Sequence, residues 1–235
     1  MHTINLCYGM DAVCECASLT KRTPGMITFL VGKERTGKST LYQLEANQVL
    51  EQTANHVIFV NPSDNIDYSY FEENPAFAGR VKVITEDLTT AIVEVAKESV
   101  LNPDRIRWIY IDYAEQLTLE EQEKLYFLCQ IAKKKNLIIT ILLNSMKAFK
   151  ESGKYPYVMW SYIRNYIITE LDESDAHERD KLFYLNPNQL LYQYASNCKE
   201  WNTFENIGRN GIIVDHTKFI HDLEQKKRSM RCIMI

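Results

Sequence analysis

The 235 residues suffice for one large domain with a substantial buried core. Apolar residues at 46% and charged residues at 25% are the ordinary balance of a globular soluble protein. A net charge of -4 excludes a chain-wide basic footprint, so any nucleic-acid contact must come from a local patch or from an assembly that gathers several.

The first 24 residues end in "KRTPG", a turn into the apolar strand "MITFLV" (26–31). A helix is expected from Lys38 to about Glu51, then a buried strand "HVIFV" (56–60) and a long polar loop or short helix, "NPSDNIDYSYFEENP". "RVKVI" (80–84) reads as a strand, and "EDLTTAIVEVAKESVL" (86–101) has helical apolar spacing with acids in its first turn. "IRWIYID" (106–112) is a strand ending in a carboxylate. "TLEEQEKLYFLCQIAKKK" (118–135) is a helix that opens on a capping box, and "NLIITILLN" (136–144) is a strongly apolar strand. Residues 146–160 are basic and aromatic, and Gly153 and Pro156 mark them as a loop. "YIRNYIITELD", "KLFYLNP" and "NGIIVDH" (210–216) read as further strands. Residues 1–220 form one domain with 1–24 as lead-in, and 221–235 a basic tail.

Strands alternating with helices, in nearly continuous Val/Ile/Leu runs, predict an α/β fold: a mostly parallel central sheet flanked by helices, with an antiparallel extension near the C-terminus. The six cysteines (Cys7, Cys14, Cys16, Cys129, Cys198, Cys232) lack the rhythm of a disulfide framework, and "CECA" has no second Cys/His pair to complete a metal site. No apolar run approaches the ~18 residues of a membrane span. The start has no signal-peptide pattern, so a cytoplasmic location (host cytoplasm if the chain is viral) without membrane contact is expected.

Gly32-x-x-x-x-Gly37-Lys38-Ser39 is a full Walker A match between a strand and a helix. Its glycines let the backbone of Gly32, Lys33, Glu34, Arg35, Thr36, Gly37, Lys38, Ser39 and Thr40 curl so that successive N–H groups form an anion nest at a helix N-terminus. Lys38 is expected on the β- and γ-phosphates and the Ser39 hydroxyl on Mg²⁺. Asp112, at the C-terminal end of a buried strand, is expected to hold that Mg²⁺ through water. Two strands between the loop and Asp112 argue against a simple nucleoside-kinase layout and for the larger ATPase group with an added strand beside the phosphate loop. A GTPase is excluded: Asp112 is followed by "YAEQ" rather than Asp-x-x-Gly, and "LLNSMK" lacks the Asp of a guanine-reading motif. The terminal "CIMI" reads as an apolar end rather than a prenylation box.

With both Walker elements placed, the chain resembles the RecA/DnaB-like ATPases, the superfamily of recombinases and hexameric helicases. "YGMDAV" and "PGMITFLVGKERTGKSTLYQLEA" resemble that family's entry into its phosphate loop, and "HVIFVNPSDNIDYSYFEE" its second strand and following loop. "WIYIDYAEQL" resembles the Walker B strand of replicative helicases, "IITILLNSMK" the sensor strand, and "GRNG" (208–211) the segment near a trans-acting arginine. The resemblance runs from about residue 8 to 171 and more weakly to 215. It implies a RecA-like fold, Mg-ATP as ligand, and head-to-tail assembly into a ring or filament with ATP at the subunit interface. It also implies work in nucleic-acid processing, as a recombination, helicase or packaging component, on single-stranded DNA or RNA with a replication or recombination partner protein.

The chain departs from that pattern at two places. Where the family has a water-activating glutamate after the second strand, this chain has "NPSDN", with Ser63 or Pro62 at the matching position; Asp64 or Glu115 is then the base, or no base exists and turnover is slow. The sensor glutamine is replaced by Asn144-Ser145, with Asn144 able to hydrogen-bond a γ-phosphate. Lys147, Lys150 and Lys154, interleaved with Tyr155 and Tyr157, sit where the family contacts nucleic acid; a solvated loop with packed aromatics is the equal alternative. Arg164 and Arg209 are the arginine-finger candidates, and Tyr68 and Tyr70 the candidates to stack on adenine. The competing function is a nucleotide-dependent scaffold or regulator with a degenerate catalytic site.

Overall fold

The structure is a computed structural model. It describes residues 4–11, 17–63, 65–163, 165–169, 171, 175, 202–207, 210–215 and 217–233. Strands are β1 (Ile4–Asp11), β2 (Ala17–Arg22), β3 (Ile27–Val31), β4 (His56–Val60), β5 (Val81–Ile84), β6 (Arg107–Ile111), β7 (Leu137–Leu143), β8 (Asn165–Ile168), β9 (Asn202–Ile207) and β10 (Asn210–Asp215). Helices are α1 (Lys38–Gln52), α2 (Ser69–Glu72), α3 (Leu88–Leu101), α4 (Leu119–Ile131), α5 (Met146–Glu151), α6 (Lys154–Met159) and α7 (Thr217–Ile233).

The strands form one sheet in the order β2-β1-β10-β9-β8-β3-β7-β6-β4-β5. Pairing is parallel from β5 through β4, β6, β7 and β3 to β8, then antiparallel through β9, β10, β1 and β2. The α/β expectation, a parallel sheet with an antiparallel extension, therefore holds. The extension also draws on the chain's start: the lead-in, read from sequence without an element, is the hairpin β1–β2, and β1 pairs with β10.

Alternation along the strands sorts the core into two layers. Ile27, Phe29, Val31, Ile109, Ile111, Ile139 and Ile141 face α3 and α4, which contribute Leu88, Val95, Leu125 and Leu128. Leu30, Val57, Phe59, Trp108, Tyr110 and Leu142 face α1, which contributes Tyr42, Leu44 and Val49, with Leu223 of α7 in the same layer. Helix α1 also packs against β1 and α7, so its polar side is covered and Gln43, Glu45, Asn47 and Gln48 are buried. The capping box at Thr118 and Glu121 is present, and the Asp87 carboxylate caps α3 by accepting from Thr90 N–H at 2.9 Å.

Two stretches differ from the sequence reading. Residues 146–160, expected as a loop, are the short helices α5 and α6 with Trp160 opening a 3-10 turn. The basic stretch at the C-terminus is helix α7, laid against α1 and β1. "KLFYLNP" lies outside the described residues. Among the described residues no helix is long and apolar enough to cross a membrane.

Candidate nucleotide site

Strand β3 delivers the Walker A segment to the C-terminal edge of the parallel sheet, where open α/β sheets bind ligands. The turn from Val31 to α1 requires left-handed backbone at Arg35 (φ 62°) and Gly37 (φ 83°), and at the second of these glycine removes the steric cost. Gly37 is also the N-cap of α1 and provides no side-chain acceptor, so the first-turn N–H groups lack a cap and can serve an anion. The loop curls round Lys38, whose buried ammonium donates to the carbonyls of Gly32 at 2.6 Å and Lys33 at 2.8 Å. Thr36 Oγ1 donates to Lys33 O at 2.9 Å and meets Thr169 Oγ1 at 2.7 Å, tying the loop to the residue after β8. Glu34 and Arg35 are exposed, so this part of the loop offers a phosphate its backbone rather than its side chains.

One strand, β7, separates β3 from β6, the added-strand layout expected from the sequence. Asp112, at the end of β6, is 6% exposed; its N–H donates to Val60 O at 3.0 Å and its Oδ1 accepts from Tyr113 N–H at 2.9 Å. Oδ2 is buried and accepts no hydrogen bond among the described residues. Burial pushes the Asp112 carboxyl above the ordinary carboxylate pKa, against the Tyr113 N–H, the Lys38 charge and the Ser39 hydroxyl, which all pull it down. Tyr113 turns left-handed (φ 52°), starting the 3-10 turn Ala114–Gln116 that brings Glu115 back to the sheet edge.

Glu115 Oε1 accepts from the N–H of Asn144, the residue that follows β7, at 3.1 Å, and Oε2 is buried without a partner among the described residues. Its pKa is raised, first by burial and also by the Asp112 charge, while the Asn144 N–H and Lys38 oppose the shift. The structure thus brings Lys38, Ser39, Asp112, Glu115 and Asn144 into one electrostatic neighbourhood.

The donors suit Mg²⁺. A hydroxyl and a carboxylate with an unpartnered buried oxygen are hard ligands, and Mg²⁺ takes one or two protein groups and fills its octahedron with water and phosphate. Among the described residues no group of three His, Cys, Asp or Glu is placed to hold a metal alone.

Sequence reasoning missed Asn61. It follows β4, is fully buried, accepts from Ser63 Oγ at 3.1 Å, and leaves its Nδ2 donor without a partner among the described residues. Strand register places it beside Asp112, since Val60 pairs with Ile111. Its signal is the position itself, directly after β4 in "NPSDN". Asp64, in the same segment, lies outside the described residues, as do Arg164 and Arg209.

A cavity of about 500 Å³ opens beside the loop, lined by Ser39, Thr40, Gln43, Ile66, Asp67 and Tyr70 among others. The Tyr70 hydroxyl donates to Asn47 Oδ1 at 2.9 Å, which fixes the ring. Tyr68 plays a different part: it stacks on Phe59 with ring centroids 4.4 Å apart and shares a hydroxyl contact with Tyr42 inside the core.

In the suggested nucleic-acid segment Lys147 and Lys154 are exposed and Lys150 is half-buried. The Lys154 ammonium lies 4.8 Å from the centroid of the Tyr155 ring, and Tyr155 packs on Tyr126 at 5.9 Å. Phe149 is fully buried, which accounts for part of the aromatic content; the side chain of Tyr157 lies outside the described set.

No family model matches the sequence, and no curated protein sequence matches it. Solved structures do. VirB4 of Thermoanaerobacter pseudethanolicus is similar with a TM-score of 0.67 and 11% identity, over 89% of this chain and 96% of that one. B204, the DNA-packaging ATPase from Sulfolobus Turreted Icosahedral Virus, gives 0.58 and 12%, over 82% and 98%. The genome-packaging NTPase B204 from Sulfolobus turreted icosahedral virus 2, in complex with ATP-gammaS, gives 0.56 and 14%, over 81% and 97%. These are not recombinases or replicative helicases, so the RecA/DnaB resemblance is supported only at the level of the shared P-loop architecture. The chain has the α/β fold of the P-loop ATPases.

Proposed function

We infer that this chain is a Mg-ATP-dependent P-loop ATPase that works on nucleic acid, as a DNA-packaging or related translocation component. The observation that carries the reading is the meeting of three groups at one sheet edge. They are the loop curled round Lys38 and two buried carboxylate oxygens, Asp112 Oδ2 and Glu115 Oε2, that accept no hydrogen bond among the described residues. Lys38 and the α1 N-terminus grip the triphosphate, and Ser39 and Asp112 hold the metal side of it. Bound Mg²⁺ would neutralise charge that develops on the β- and γ-phosphate oxygens. Glu115, held by Asn144 N–H through one oxygen, uses the other to orient water and take its proton. Of the two base candidates Glu115 is preferred, because its carboxylate lies in the fields of Lys38 and Asp112. Asn144 tracks the γ-phosphate through that same contact.

The nucleic-acid role rests on the likeness to a packaging ATPase and on the lysines of α5 and α6, Lys147, Lys150 and Lys154, with Tyr155 and Tyr157 as stacking partners. A head-to-tail homo-oligomer would let Arg164 or Arg209 of a neighbouring subunit complete the site. The second reading, a nucleotide-dependent scaffold with little turnover, draws on the absence of a glutamate from "NPSDN", where Pro62 or Ser63 takes the matching position. ATP turnover with and without DNA, in the wild type and in Glu115→Gln, decides between them. The motor reading expects DNA-stimulated turnover that falls roughly 10²–10⁴-fold in the variant while ATP binding persists. Slow turnover, indifferent to both DNA and the substitution, would establish the scaffold.

A further inference from the structure

The cavity beside the P-loop has a wall that the phosphate-binding residues do not account for. Its lining joins Ser39, Thr40 and Tyr70 to Glu224, Lys227 and Arg228 of α7, which lie 154 to 189 residues further along the chain. Three contacts hold that helix in place. Leu223 is 1% exposed within the core layer of α1. Lys226 Nζ pairs with Glu51 Oε1 at 2.6 Å, and Lys227 Nζ donates to Gln43 Oε1. Gln43 lies four residues after Ser39, on the same face of α1. Helix α7 is therefore fastened to the face of α1 whose first turn carries Ser39.

We propose that α7 is the nucleoside wall of the site, so that bound nucleotide and docked C-terminal helix stabilise each other. The proposal rests on the nucleotide-binding reading above. A volume of about 500 Å³ falls within the roughly 300–1,000 Å³ of small-ligand sites. It opens from Ser39 and Thr40 of the loop, and its lining includes neither Asp112 nor Glu115, the groups assigned to the metal and the attacking water. Ile66 and Tyr70 offer the base apolar area, Asp67 and Glu224 offer acceptors for ribose hydroxyls, and Lys227 and Arg228 offer donors for ring nitrogens and the α-phosphate. Inorganic tripolyphosphate reaches only the P-loop half. A ligand that bridges α1 and α7 must favour the docked helix by as much as docking favours the ligand.

Hydrogen exchange of the full chain with Mg-ADP, and separately with Mg-tripolyphosphate, tests this. Both ligands are expected to protect 32–40, and only ADP to slow exchange in 65–70 and 221–229. Protection of 32–40 by ADP with 221–229 unchanged, or equal protection of 221–229 by both ligands, overturns the proposal and leaves the nucleotide reading standing. No protection anywhere overturns both. The variant Lys227→Met/Arg228→Met keeps the apolar stems and removes the charges. It should weaken ADP binding about tenfold or more, and tripolyphosphate binding less than about twofold. Equal effects on the two ligands would refute the assignment of the wall.

Discussion

Replacing Arg22 by Met takes a buried charge away from its partner on α1, the helix that follows the Walker A segment. Arg22 ends β2, and its Nε lies 3.1 Å from Glu45 Oε1 on α1, with the two side chains 0% and 6% exposed. The other Glu45 oxygen accepts from Tyr110 of β6, the strand that carries Asp112, at 3.2 Å. The pair thus fixes the antiparallel extension, α1 and β6 relative to one another. Methionine fills much of the space of the arginine stem but removes the guanidinium that faces Glu45 Oε1 in the interior. Breaking a buried pair in this way costs about 3–5 kcal/mol, a large part of the ~5–15 kcal/mol that holds a domain folded. At roughly 2–4 °C per kcal/mol for a chain of this size, Tm should fall by about 10 °C. Urea unfolding and calorimetry measure both quantities. The double variant Arg22→Met/Glu45→Gln, which removes both charges of the pair, should recover most of the loss. A single variant costing under about 1 kcal/mol, or a double variant as unstable as the single, would refute the reasoning.

Three further outcomes follow from the site and its approach. The raised pKa of Glu115 places the acid limb of the turnover profile above the ordinary glutamate value of 4.5, and Glu115→Gln should erase that limb. Asp112 has a raised folded-state pKa, so the folded chain holds this proton more tightly than the unfolded one, and stability falls as pH rises through the raised value. Asp112→Asn should therefore raise Tm at pH 7 without metal or nucleotide, and the gain should vanish below the ordinary carboxylate range; a loss at pH 7 would contradict this. Gly25→Ala forces a side chain onto left-handed backbone (φ 89°) with its Cβ 2.8 Å from Lys133 Cβ, and should cost about 1–3 kcal/mol in urea unfolding.

What the sequence made legible was local. The Walker A segment and the capping box at Thr118 are short motifs whose geometry follows from their own residues, and Asp112 stood out as a charge ending an apolar strand. Helix α1 is less transparent. Its buried Gln43, Glu45, Asn47 and Gln48 look like a solvent face until β1 and α7 cover them. Gly153 and Pro156 looked like loop formers, yet both are compatible with the helices found. Gly153 joins α5 to α6 where a Cβ would lie 2.6 Å from Gln122 Oε1, and Pro156 falls in the first turn of α6, where its missing N–H is not needed. Asn61 and the α7 wall were out of reach for another reason. One depends on the pairing of β4 with β6, the other on a contact between residues 184 apart in sequence, Gln43 and Lys227. Neither leaves a periodic or motif-like trace.

Isothermal titration of Mg-ATP into the wild-type chain and into Lys38→Ala tests the central claim most directly. Lys38 supplies the ammonium round which the loop is wound, so the account predicts saturable one-site binding in the wild type and at least a tenfold loss in the variant. Absence of binding in the wild type, or equal affinity in the two proteins, would contradict it.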